Sequence, residues 1–154
     1  MKVLNNKAVV IGMLVLLLMG TAACDNTVKK AAGYLSDIAD TLGEVQSVTI
    51  DAYGAGLVSE EIHDSILRST LRANEAGKEA TNILMGLEKS GVTQLDLDTK
   101  QKLMKYAIVI SDSLDSDNIA DLANIQDPDT RTKIKTGLAT ARAVLATLSA
   151  LLGT

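Results

Sequence analysis

One cysteine, one histidine and a run of aspartates are the residues on which chemistry would have to be built in this chain. His63 has no second histidine and no nearby cysteine to join it, so it cannot found a zinc site of the usual three or four nitrogen and sulfur ligands. As a general base it would need a nucleophile within hydrogen-bond reach. Ser59 is the nearest hydroxyl upstream, and its place before an acidic helical turn suits a cap better than an active serine. His63 is therefore read as a solvated surface residue. The densest charge cluster is Asp112, Asp115, Asp117, Asp121, Asp127 and Asp129. A calcium loop takes oxygen ligands at its first, third and fifth positions and glycine at its sixth. Counted from Asp115, the fifth and sixth positions are Ile119 and Ala120, so the cluster reads as a solvated helix connection. The eleven glycines form no phosphate-cradling fingerprint, and the paired Glu-x-x-His motifs of metal-carrying bundles are missing. No catalytic residue, metal or cofactor is expected, and the chain is not read as an enzyme.

Cys24 is different, because of what precedes it. Lys2 and Lys7 form a short basic region, Ala8 to Gly20 is an uninterrupted apolar run of 13 residues, and Thr21-Ala22-Ala23 is a small-residue tract. This is the three-part layout of a secretory signal peptide, and the apolar run falls short of the roughly 20 residues that span a bilayer as a helix. With Cys24 directly after the small residues, the segment resembles the lipobox of bacterial membrane lipoprotein precursors, with Thr21 where leucine is usual. The resemblance covers only the leader and the first residues after it. It implies cleavage before Cys24, diacylation of that cysteine, and a mature domain over 24–154. Two acyl chains hold a protein durably where one does not. Asp25 and Asn26 resemble the signal that retains lipoproteins in the inner membrane of bacteria with an outer membrane. In a host without one, the same precursor ends on the outer face of the cell membrane. The alternative for these residues is an uncleaved N-terminal anchor with an incidental cysteine.

The bulk composition closes off several function classes. Removing Lys2 and Lys7 with the leader from the chain's 15 basic residues leaves 13 against 19 acidic ones, a net charge of −6 on the mature domain. That balance argues against a nucleic-acid surface, which needs clustered cations to displace counterions from phosphate. Phe and Trp are absent and Tyr34, Tyr53 and Tyr106 are the only aromatics, so stacking platforms for bases, sugars or quaternary amines are scarce. A lone cysteine permits no internal disulfide, and stability has to come from packing.

The mature region reads as all-α. From Thr27 onward Pro128 is the single proline, and apolar residues recur three and four apart rather than alternating. A first helix carries Val28, Ala31, Leu35, Ile38, Leu42, Val45, Thr49 and Ala52, and ends near Gly54 and Gly56. Ser59 caps a second, with Glu60 and Glu61 at the positive end of its dipole and a stripe of Ile62, Ile66, Thr70, Ala73, Gly77, Ala80, Leu84 and Leu87. Its small middle allows a neighbour to approach closely. Asp98 and Gln101 form a capping box for a third helix with Leu103, Ala107, Ile110 and Leu114. The polar connection 115–126 holds Ile119, Leu122 and Ile125, enough for one amphipathic turn or two. Asp127-Pro128 starts a fourth helix with Ile134, Leu138, Ala141, Leu145, Leu148 and Leu152. Short connections make an up-down-up-down four-helix bundle the simplest arrangement, a long oligomerising two-helix hairpin being the rival.

Helix 1 begins within three residues of Cys24, so a lipidated bundle would sit against the bilayer. Lys29 and Lys30 then read either as contacts to anionic headgroups or as ordinary solvated residues. From Ala143 to Gly153 there is no charged residue, so Leu148, Leu151 and Leu152 either meet the membrane surface or complete the core, with the off-stripe Val144 and Leu151 deciding between the two. The functional expectation is a non-enzymatic, lipid-anchored envelope protein that binds another envelope protein or acts as a scaffold. A carrier of a small apolar ligand, held in a slot along the small-residue stretch of helix 2, is the alternative. If Cys24 bears the lipid, a tagged fatty acid fed to the producing cells labels the protein, and Cys24→Ser abolishes the label and leaves a longer, unprocessed chain. Undiminished labelling of that variant would disprove the anchor.

Overall fold

The computed structural model describes residues 26–115 and 119–153. Within them the chain forms α1 (Thr27–Gly54), α2 (Glu60–Lys89), α3 (Leu97–Ser113), a single 3-10 turn at Leu122–Asn124 and α4 (Pro128–Gly153), with no strand. Helix α1 packs against α4 and α2, α2 against α3, and α3 against α4. That closed ring is the up-down-up-down four-helix bundle. One end, called basal here, gathers the start of α1, the α2–α3 turn and the end of α4. The apical end gathers the α1–α2 turn and the α3–α4 connection.

The stripes predict the core. All eight stripe residues of α1 are buried, and so are the four of α3 and the six of α4. On α2 the buried set is Ile62, Ile66, Ser69, Thr70, Ala73, Ala76, Ala80 and Leu84, with Gly77 and Leu87 half-buried at its edge. Buried hydroxyls are satisfied locally: Thr49 Oγ1 donates to the Val45 carbonyl at 2.7 Å and Thr70 Oγ1 to the Ile66 carbonyl at 2.8 Å. Thr70 Oγ1 also accepts a hydrogen bond from Gln46 Nε2 at 3.0 Å, tying α1 to α2.

Helix starts and stops follow local chemistry. Ser59 Oγ accepts from the Ile62 backbone N–H and Asp127 Oδ2 from that of Thr130 at 2.7 Å. Gly56 and Gly91, which end the turns after α1 and α2, have φ of 71° and 75°, a left-handed conformation that side chains disfavour. The start of α3 departs from expectation. Asp96, not Asp98, is the cap, accepting from the Thr99 backbone N–H at 2.7 Å, while Asp98 lies in the first turn and pairs with Lys102 at 3.6 Å. The earlier start lengthens the helix and places the exposed Leu97 at its first position.

At about 1.5 Å per residue, the 28, 30 and 26 residues of α1, α2 and α4 run about 42, 45 and 39 Å, whereas the 17 of α3 run only about 26 Å. The α3–α4 connection fills the vacant corner. Ile119 and Ile125 are buried there, the Ala120 N–H donates to Ser65 Oγ at 2.7 Å, and Arg142 donates through Nε at 2.9 Å, and through Nη2, to the carbonyl of Leu114, the C-cap residue of α3.

The α1–α4 seam is the tightest. A Cβ added to Gly137 would overlap Val45 Cγ2, and Val45 is buried and β-branched, so it has little rotamer freedom to yield. Gly137→Ala is therefore expected to destabilise the fold by about 1–3 kcal/mol in denaturant unfolding, despite the better helix propensity of alanine. Gly33→Ala, where the added carbon meets nothing within 4 Å, is expected to stabilise by about 0.5–1 kcal/mol.

Two caps also set an acid dependence. The Thr99 side chain, then its backbone N–H, hold the Asp96 carboxyl below the usual carboxylate value, and Thr130 does the same for Asp127. A depressed folded-state value means stability that is present above the unfolded value of about 4 and is lost as pH falls through the folded one. Asn caps as well as Asp without titrating. The double variant Asp96→Asn, Asp127→Asn should therefore keep its stability near neutral pH and lose less of it below about pH 4, measured by urea midpoints across the acid range.

Candidate functional site

Each candidate from the sequence can be placed in the bundle. Cys24 and Asp25 lie outside the described residues. Asn26 caps α1, its Oδ1 accepting from the Lys29 backbone N–H at 2.9 Å. Lys29 and Lys30 extend from the first turn as exposed side chains. Leu148 and Leu152 are buried, and the off-stripe Val144 and Leu151 are half-buried against the same core. Only part of Leu151 is left for the membrane contact expected of it. By length and composition α4 is apolar enough to cross a bilayer, yet its Ile134-to-Leu152 stripe is taken up by the core, and Ala143, Ala146, Thr147 and Ala150 form the exposed face of its uncharged half.

His63 is not a freely solvated side chain. Its ring stacks on Tyr53 with centroids 4.3 Å apart and an interplanar angle of 25°, and Nδ1 lies 2.8 Å from Asp64 Oδ1. The contact joins the end of α1 to the start of α2. Helical periodicity hides it, because Tyr53 and His63 lie across a turn and off both core stripes. Among the described residues no group of three or more His, Cys, Asp or Glu is arranged to hold a metal ion.

Along the α1–α2 seam the structure brings together what spacing alone does not. Gln46–Thr70 and Tyr53–His63 define the line where the two helices meet. Tyr53 on that line, and Ile50 on α1 and Leu71 and Met85 on α2 just outside it, are between 42% and 53% exposed, and Leu67 of α2 is partly buried. Asn74, one turn beyond Thr70, has a buried Oδ1 with no hydrogen-bond partner among the described residues. These apolar residues lie off the core stripes, and that is the one signal in the sequence that marks them.

The surface clefts among the described residues include three that flank the bundle. One of about 350 Å³ sits under the α3–α4 connection, walled by Ile119, Leu122, Leu138 and the aliphatic stems of Lys135 and Arg142. A second, of about 580 Å³, follows the α1–α4 seam around Val48 and Gly137 and is lined largely by Thr, Ser, Glu and Lys. The third, of about 340 Å³, lies between α2 and α3 at Ile83 and Tyr106. None of them is lined by the Thr70-to-Ala80 stretch. Thr70, Ala73, Ala76 and Ala80 are buried there, and a Cβ added to Gly77 would meet Ile110 Cδ1 at 4.0 Å, an ordinary contact distance.

No protein-family model matches this sequence, and comparison with curated proteins and with solved structures finds no match either.

Proposed function

We propose that this chain is a non-enzymatic, lipid-anchored envelope protein whose bundle serves as a protein-interaction or scaffold module on the outer face of a cell membrane. Export and anchoring rest on the leader and Cys24; in a host with an outer membrane, Asp25 and Asn26 favour the inner one. The observation that carries the interaction role is the apolar α1–α2 seam. Four large apolar side chains stand about half exposed along one side of the bundle, Ile50, Tyr53 and Leu71 toward its apical half and Met85 about 21 Å beyond Leu71 along α2, and exposed apolar surface of this kind marks contact sites. Aromatic and Met side chains are the types that interfaces favour at their centres. The seam runs up the side of the bundle, so a partner can lie along it while the basal end stays at the membrane.

A photo-crosslinking residue at position 50 or 71 of the full chain in its native host tests this. Discrete adducts should form from both positions and not from the exposed Gly33, and adding Leu71→Glu to the position-50 probe, or Ile50→Glu to the position-71 probe, should abolish them while the protein stays folded and in the membrane fraction. Exposed substitutions of that kind usually change stability by no more than about 0.5 kcal/mol. Absence of adducts from both seam positions would reject the seam as the contact face.

A further inference from the structure

We infer that the α2–α3 turn at the basal end is a bilayer-contacting tip, with Val92 and Leu97 set into the headgroup region of the leaflet that carries the lipid anchor. This rests on the anchoring reading above and adds a definite orientation of the bundle to it.

Leu97 is 71% exposed, more than any other large apolar side chain among the described residues, and Val92, on the same turn, is 38% exposed. A leucine at the first position of a helix has no fold-related reason to point outward, and the adjoining Leu95 is buried as expected of a loop residue that closes a core. The turn is stitched to the first turn of α1. The Leu95 N–H donates to Thr27 Oγ1 at 2.9 Å, Thr27 Oγ1 reaches Gln94 Oε1 at 3.4 Å, and the Val28 N–H donates to the Thr93 carbonyl at 3.4 Å. Cys24 is two residues before Asn26, and two residues of extended chain reach no more than about 7 Å. Acyl chains on Cys24 would therefore hold this turn at the bilayer surface, and the occupant facing Val92 and Leu97 is lipid.

Charge distribution agrees. The basal end carries Lys29, Lys30, Lys89, Lys100 and Lys102, with Glu88, Asp96 and Asp98 among them, whereas at the apical end Asp51, Glu60, Glu61, Asp64, Asp121, Asp127 and Asp129 outnumber Arg131 and Lys133. A domain with this polarity turns its acidic pole away from an anionic leaflet and its near-balanced, lysine-bearing pole toward it. Lipid on Cys24 fixes where the protein is; two apolar side chains beside it fix which way up it stands.

The test uses the full lipidated chain, in which Cys24 is blocked by its lipid and a new cysteine alone takes a thiol-reactive environment-sensitive fluorophore. Leu97→Cys, Val92→Cys and, as the apical reference, Leu57→Cys are labelled and reconstituted in vesicles of phosphatidylethanolamine and phosphatidylglycerol. Labels at 97 and 92 should shift to the blue and be quenched by a lipid spin-labelled near its headgroup, and the label at 57 should show neither effect. Circular dichroism and the intact mass are read on the same samples. A lipidated, folded chain whose label at 97 is no more quenched than that at 57 overturns the tip and leaves the anchor standing. Protection of 97 only in native membranes, and not in these protein-free vesicles, overturns it in favour of a protein contact. A mass without fatty acid overturns the anchor, and the tip with it.

Discussion

The close approach of α1 to α4 at Val45 and Gly137 is the contact on which the closed ring depends. These are the first and last helices, so their pairing closes the longest loop in the chain and carries its largest closure entropy. Their register must be specified by shape. A valine methyl occupies the space that any side chain at 137 would need, so the two helices can meet closely in one alignment. From there Ile38 and Leu42 on one side, and Leu138, Ala141 and Leu145 on the other, face the same interior. On its other flank α1 is held to α2 by the Gln46–Thr70 hydrogen bond and the Tyr53–His63 stack. The first helix thus serves as the post against which both neighbours are aligned.

The short α3 creates a second constraint. It leaves one apical corner of the bundle without a helix, and the following connection covers it with Ile119 and Ile125. Irregular backbone can be buried only where its polar groups find partners. Ser65 accepts from Ala120, and Arg142 caps the open end of α3 at Leu114. A cation at a helix C-terminus also meets the negative end of the dipole. Arg142 is accordingly a structural residue in the middle of α4, although it is the last charge before the uncharged end of that helix.

These constraints leave the molecule with two distinct ends and one distinctive side. The basal end is closed by a tight turn pinned to α1 and bears the most exposed large apolar side chain among the described residues; the apical end is acidic. The α1–α2 side exposes Ile50, Tyr53, Leu71 and Met85, whereas the α1–α4 side opens as a cleft lined by Val45 and Val48 together with threonines, Glu44 and Lys133. The proposed membrane-held module, read from the side, would use this asymmetry.

By itself the sequence determined the helical class, the four stripes and most of the caps, because these depend on neighbours within a few residues: the 3-4 spacing from Val28 to Ala52, Ser59 before two glutamates, Asp127 before Pro128. The proposed anchor at Cys24 likewise rests on the sequence alone, through the residues ahead of it. The start of α3 was not legible in this way: the spacing of Asp98 and Gln101 pointed to Asp98, whereas Asp96 is the cap, in a turn whose Leu95 N–H is bound by Thr27 of α1, and Leu97 is thereby the exposed first residue of the helix. Tertiary structure alone decided that His63 stacks on Tyr53, that Gly137 admits Val45, that Leu151 leans into the core, and that Ile50, Tyr53, Leu71 and Met85 share one seam. Each of these depends on which helix lies beside which and in what register. Periodicity along one helix carries no information about that, because every helix repeats its apolar stripe whatever it packs against.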